Sequence, residues 1–277
     1  MLRSLFISSS GMQAQQFNLD VIANNLANVN TTGFKKSRAD FQSLLYQSIR
    51  KPLVSESGTY NPTGVEVGNG VRVAGTVTNF EQGITSETDS VLDLAIEGGG
   101  FFMVHLPDGQ VGYTRGGAFR IDSQGYLVNT DGFRLLSSQG NVSAKSSVSA
   151  GGKTLKYIMP DTDTLTVNVA ADGVITTEKT STGTLPTLEL ANFTNPSALE
   201  SVGSTAYVAN DVCGKISLGK PAGSGFGSIR AGFLEGSNVK IVEEMVKMIM
   251  AQRAYEINSK SVQTADEMMG LTNNLRR

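Results

Sequence analysis

The chain contains no tryptophan, one cysteine and one histidine among its 277 residues. With Cys213 alone, no intrachain disulfide can form and the paired-cysteine spacings of zinc and redox motifs cannot occur. It reads as a small, partly buried residue in a β-turn region. With His105 alone, the HExxH protease pattern and histidine-rich metal sites are excluded. A Ser-His-Asp triad would need a histidine in the apolar run from Phe101 to Leu106, and no GxSxG elbow accompanies it. Charge of one sign is also missing, since 23 Lys plus Arg face 25 Asp plus Glu. A net charge of −2 offers no field for DNA or RNA, so nucleic acid is not expected as a partner. No run of 18 apolar residues exists, so no membrane span is expected. The stretch Leu5 to Ile7 is too short for the apolar core of a cleavable secretory signal. The expected location is the cytoplasm, or outside it by a route that uses no such signal.

What is abundant is glycine, 31 residues in all, and it punctuates the middle of the chain. Asp108-Gly109, Asp131-Gly132 and Asp172-Gly173 each separate alternating apolar runs, a strong hairpin signal, and Gly125 adds a fourth turn. Val71 to Val77, Val91 to Ile96, Phe101 to Leu106, Leu165 to Val169, Val174 to Thr177, Leu188 to Phe193, Ala206 to Val208 and Ser228 to Phe233 read as strands. Hairpins follow one another with no helix between them, which predicts an antiparallel all-β body over 71–235.

The two ends follow a different period. Leu2, Leu5, Ser9, Met12, Gln16, Leu19, Ala23 and Leu26 step by three and four, a heptad seam with a polar interruption at Gln16. The helix is expected to stop near Asn28, with Gly33 suited to the positive φ beyond a helix end. Val239, Val242, Val246, Ile249, Ile257, Thr264, Met268, Leu271 and Leu275 form a second seam, broken near Arg253. Ser237 or Asn238 is the expected cap of this helix, and Glu243 and Glu244 suit its dipole. From Asn238 to Leu275 it would extend roughly 57 Å, longer than a β body of this size needs. Neither seam can be buried by its own helix. The helices are therefore expected to pair with each other, or with other copies, as a coiled-coil-like stalk. A helical hairpin laid on its own β domain is the alternative. The fold class read this way is α+β, in four parts: a helix over 1–30, an extended linker over 31–70, the β domain over 71–235 and the last helix over 236–277. Within the second part, Phe34, Phe41, Leu44, Leu45, Tyr46 and Ile49 suggest another helical piece before Pro52, and 51–70 reads as a long loop.

Other candidate sites dissolve on inspection. Gly98, Gly99 and Gly100 lack the Gly-Lys-Ser/Thr of a phosphate loop and lead into a strand. Gly68, Gly70 and Gly75 have the wrong spacing for a dinucleotide fingerprint. Asp161 and Asp163 have no further ligands at calcium-loop spacing. The sequons at Asn30, Asn141 and Asn192 are common by chance. No catalytic, cofactor-binding or metal residue is assigned, and no enzyme activity is expected. A surface β protein or hydrolase with an oligomerisation stalk would need paired carboxylates or stacked aromatics, and no such cluster is visible.

Three ordered motifs resemble a known family. Asn24-Asn25-Leu26-Ala27-Asn28-Val29-Asn30-Thr31-Thr32-Gly33-Phe34-Lys35 is similar to the signature of the bacterial flagellar rod and hook axial proteins. Gly236-Ser237-Asn238-Val239, with Glu243-Glu244-Met245-Val246 and Gln252-Arg253-Ala254-Tyr255-Glu256, resembles its C-terminal counterpart. Leu94-Ala95-Ile96-Glu97-Gly98, Gly100-Phe101-Phe102 and Tyr113-Thr114-Arg115-Gly116-Gly117-Ala118-Phe119 resemble its β core. Residues 44–52 and the stretch to Gly70 resemble a linker longer than that of the hook protein, which implies a structural subunit of the distal rod. A proximal rod or short hook-type subunit is the rival within the family. The resemblance implies a helical homopolymer around an export channel, which transmits torque to the hook. It implies contacts with other rod proteins, the hook protein, the surrounding rings and the type III export apparatus, in a rod that crosses the periplasm and is exported without a cleaved signal. The assembly interface expected on this basis is Leu2, Leu5, Met12, Leu19, Asn24, Asn25, Leu26, Asn28, Gly33 and Phe34 at one end. At the other it is Val242, Met245, Val246, Ile249, Arg253, Tyr255, Ile257 and Met268.

Overall fold

A computed structural model describes residues 2–50, 53–54, 60–61, 64–139, 142–143, 149–159, 167–177 and 186–274. The Asp161, Asp163 and Asn141 readings, the prolines Pro52 and Pro62, and Leu275 of the C-terminal seam lie outside the described residues. The chain divides into two compact units. One comprises residues 1–27, 37–77 and 240–277, and the other residues 28–36 and 78–239.

In the first unit, α1 (Leu2–Ala27) and α2 (Ile241–Asn274) pack side by side. Ser8 bonds to Ser261 and Asn25 to Glu244, so a rise of 17 residues along one helix matches a fall of 17 along the other, and the pair is antiparallel. Helix α2 starts three residues later than its expected cap. Asn238 is occupied elsewhere, and the Ser237 hydroxyl accepts only from Val239 N at 3.2 Å.

The helical reading of 34–49 is overturned. Ser37–Ser43 and Gln47–Arg50 are strands. Ser37–Ser43 pairs with Val71–Thr78, and Ala39 is its one buried residue. A short apolar cluster without a cap or a second helical turn of apolar residues is decided by such distant pairing. The expected linker carries strands as well. Val65–Val67 pairs with Gln47–Arg50 and Leu53–Val54 with Tyr60–Asn61, all antiparallel.

The second unit is antiparallel β throughout its named strands, apart from two short 3-10 turns at Pro196–Ala198 and Asp211–Cys213. Phe102–His105 lies at the centre of a nine-stranded sheet, between Val111–Thr114 and Arg134–Ser137. Alternation along the strands splits the apolar side chains between two cores. Phe102, Val104 and Leu135 join Leu94, Ile96 and Phe119 on one side. Met103 and Leu136 join Tyr113, Tyr207 and Phe193 on the other. Because both faces are covered, Phe102–His105 reads as a continuous apolar run rather than an alternating one. The Asp-Gly turns lie where expected. At Gly132 the φ is +82°, and Asn129 Oδ1 accepts from the Asp131 and Phe133 nitrogens at 3.0 and 2.8 Å.

Candidate functional site

Two places gather the residues singled out from the sequence, one in each unit. In the first unit it is the helix pair. The face that α2 turns to α1 consists of Glu244, Met248, Ala251, Asn258, Val262 and Ala265, buried or half-buried along a heptad. The partners on α1 are small or polar too. Ser8 Oγ donates to Ser261 Oγ at 3.1 Å, and a β-carbon on Gly11 would sit 3.1 Å from the Asn258 side chain. Asn25 is buried; its amide bonds to Ser37 O at 2.8 Å and Glu244 Oε2 at 3.4 Å, while its carbonyl accepts from Ser37 N at 2.9 Å. Glu244 is further satisfied by Lys247 Nζ at 2.7 Å.

The apolar seam of α2 points elsewhere. Val242 is 75% exposed, Ile249 56% and Ile257 66%, and Met245, Val246, Tyr255, Met268 and Leu271 are exposed with them. Arg253 lies among them, held by Glu256 at 3.0 Å. On α1, Leu5, Met12, Leu19 and Leu26 are half-buried and Asn24 is exposed, and Asn28, in the turn after the helix, is half-buried. Leu2 belongs to α1, but its side chain lies outside the described set. The terminal helices do pair, but mainly through small and polar residues with Met248 and Val262, leaving most of the large apolar residues of α2 in water. They form a run of exposed apolar residues at heptad spacing.

In the second unit, three segments far apart in sequence meet in a buried polar knot. Lys35 Nζ donates to Glu81 O at 2.7 Å and forms an ion pair with Glu235, both side chains being fully buried. Arg115 Nη1 lies 3.4 Å from the second Glu235 oxygen, and Nη2 donates to Gly98 O at 2.9 Å. Gly83 N donates to Glu235 Oε1 at 2.9 Å. Burial is the main influence on both cations and pushes the pKa of each down, and Glu235 pushes it back part of the way. Asn238 accepts from Lys36 N at 2.8 Å and donates to Asn79 O at 2.8 Å, which closes the same knot. Gly33 (φ +70°) donates to Glu235 O at 2.8 Å, and a β-carbon there would come within 2.3 Å of Gly116 N. Phe34 is half-buried beside it in sequence.

Sequence reading missed Lys35, Arg115, Glu235 and Asn238 as a unit. Lys35, Arg115 and Asn238 each sit inside a family-like motif, but nothing in their spacing tells that they share a carboxylate. Among the described residues, no group of three or more His, Cys, Asp or Glu could hold a metal ion, and no helix is long and apolar enough to cross a membrane. The arrangement is one of packing and charge pairing.

Comparison with known proteins agrees with that class. Residues 5–35 match the family described as flagella basal body rod protein. Residues 95–177 match the flagellar hook protein FlgE/F/G D1 domain, and 230–275 the flagellar basal body rod FlgEFG protein C-terminal family. The chain is 43% identical to the flagellar basal-body rod protein FlgG of Borreliella burgdorferi, with both chains covered in full. It is 39% identical to FlgG of Caulobacter vibrioides over 99% of this chain and all of the other, and 36% identical to FlgG of Bacillus subtilis over the whole of both. The chain belongs to the flagellar rod and hook protein family, in its FlgG branch. It is a structural rod subunit of the flagellar basal body.

Proposed function

We propose that the chain is a subunit of the distal rod, polymerising with copies of itself into a helical tube that crosses the periplasm, encloses the export channel and transmits torque to the hook. It acts through assembly and not through catalysis. The observation that carries this reading is the exposed apolar seam of α2 beside a helix pair closed by small and amide residues. Burying that seam removes a large apolar surface of the first unit from water, and the hydrophobic effect rewards such burial at about 25 cal/mol per Å². The interface residues are Leu2, Leu5, Met12, Leu19, Leu26 and Asn24 on α1 and Asn28 just after it, with Asn25 closing the pair. On α2 they are Val242, Met245, Val246, Ile249, Arg253, Tyr255, Ile257 and Met268. Gly33 and Phe34 contribute through the knot. Neighbouring rod proteins, the hook protein and the rings are the further partners, and export proceeds through the type III apparatus without a cleaved signal.

A hook-type role has one observation in its favour, a 47% identity to the flagellar hook protein FlgE of Helicobacter mustelae. That match covers 48% of this chain and 30% of the hook protein, whereas the rod matches span whole chains. Electron microscopy of purified basal bodies, with this protein labelled, tests the reading. Label along the rod just below the hook is the expected result. Label confined to the hook or to the base of the rod would replace it with the rival.

A further inference from the structure

In the first unit, Phe6 of α1, Ser43 at the end of its strand, Leu44 and Leu45 just after it, and Asn69 and Arg72 line an open cavity of about 730 Å³. Its apolar walls are strongly exposed, Leu45 at 88% and Phe6 at 61%. The Leu44-Leu45 connection is held in place. Leu44 N donates to Gly70 O at 3.0 Å, and Asn69 Nδ2 donates to Leu45 O at 2.8 Å. Arg72 stands at the cavity with only a neutral partner, Gln42 Oε1 at 3.0 Å, and no acid pairs with it among the described residues. The cavity therefore offers an apolar socket with an unneutralised cation on its rim.

The exposed seam of α2 carries the complement. Met268 and Leu271 are one turn apart on it, and Glu267 lies one turn before Leu271 on the same side of the helix. The other glutamates near the seam are engaged, Glu243 by Lys240 and Glu256 by Arg253. Glu267 forms no ion pair among the described residues, and Asp266 projects from another side of the helix.

We propose that the cavity bordered by Phe6, Leu45 and Arg72 is the socket for a second copy of this chain, which inserts Met268 and Leu271 and sets Glu267 against Arg72. The contact is heterologous, a socket on one subunit and a plug on the next, which is the geometry that yields open helical polymers rather than closed dimers. The charge pair fixes the register of the plug, while the apolar side chains supply the affinity. This contact rests on the rod-subunit reading and specifies where one copy grips the next.

The test uses the full chain polymerised in vitro. Arg72→Glu and Glu267→Arg each place like charges at the contact and should each raise the critical concentration for polymerisation about fivefold. The double variant R72E/E267R restores the pair and should return the critical concentration to that of the parent. In a Cys213→Ser background, Leu45→Cys together with Leu271→Cys should give a ladder of disulfide-linked oligomers under oxidation. Single variants that polymerise like the parent, a double variant no better than the singles, or a chain that links only to itself would each overturn the contact while leaving the rod reading intact. A parent chain that forms no polymer would overturn both.

Discussion

At the scale of single residues, Glu235 is the most consequential side chain. It neutralises Lys35 and approaches Arg115 in a region with no access to water, and its oxygens also take the Gly83 amide. Removing one member of a buried charge cluster leaves the others uncompensated, at a cost of about 3–5 kcal/mol. Glu235→Ala is expected to destabilise the β unit by that amount, read from its denaturant midpoint. Lys35→Met with Glu235→Leu removes one buried pair but leaves Arg115 without its carboxylate, so it should recover only part of that cost. His105 makes a second prediction. Its Nδ1 lies 2.8 Å from the Tyr157 hydroxyl, and burial, followed by the charge of Arg134, lowers its pKa below the ordinary 6.5. As pH falls through 6.5, the unfolded chain takes up a proton that the folded chain refuses. The unfolded state then binds more protons, and stability falls with pH until the lowered folded value is passed. Denaturant midpoints measured from about pH 8 to pH 5 should fall for the parent and flatten in His105→Gln in that window. At the alkaline end Tyr113 and Tyr207, both pushed up to about 12 by burial, keep their protons when unfolded tyrosines lose theirs. Stability should therefore fall again as pH rises from 10 towards 12.

At the scale of elements, α2 carries two seams. The inner seam of α2 uses Ala251, Asn258 and Ala265, side chains that let the backbones approach but bury little apolar area, and Gly11 extends the same logic to α1. The outer seam carries the valines, isoleucines and methionines. Ile249→Asp tests the division, because Ile249 is already exposed in the single chain. The substitution should leave the isolated chain folded, by circular dichroism and thermal melting, and should abolish tubes seen by electron microscopy, because each subunit would bury an unpaired carboxylate. Leu19→Asp is expected to act the same way on α1. Normal tubes from either variant would show that these residues do not enter the interface. The outer seam was legible in the sequence because large apolar residues at heptad spacing announce themselves. The inner one was not, since alanine, serine and asparagine at the same spacing carry no hydrophobic signal. The Asp-Gly turns at 108, 131 and 172 were legible because turn chemistry is local. Ser37–Ser43 was read as helix because its partner, Val71–Thr78, lies some thirty residues on. The knot stayed hidden for the same reason: Lys35 and Glu235 are 200 residues apart.

At the scale of the whole molecule, the two units differ in what holds them. The β unit has two apolar cores and a buried cluster of paired charges within itself. The helical unit has 26 residues of α1 and 34 of α2 to order, against few large buried side chains, Ile22 chief among them. Fixing a backbone costs about 1–2 kcal/mol per residue, which alanine and asparagine contacts do not offset. On the proposed rod reading, neighbouring copies supply the burial that the helices lack. Amide hydrogen exchange in the verified monomer and in the assembled tube tests this most directly. The account predicts fast exchange over residues 2–27 and 241–274 in the monomer, slow exchange over 94–136 in the same sample, and protection of both helices once the tube forms. Helices as well protected in the monomer as in the tube would contradict it.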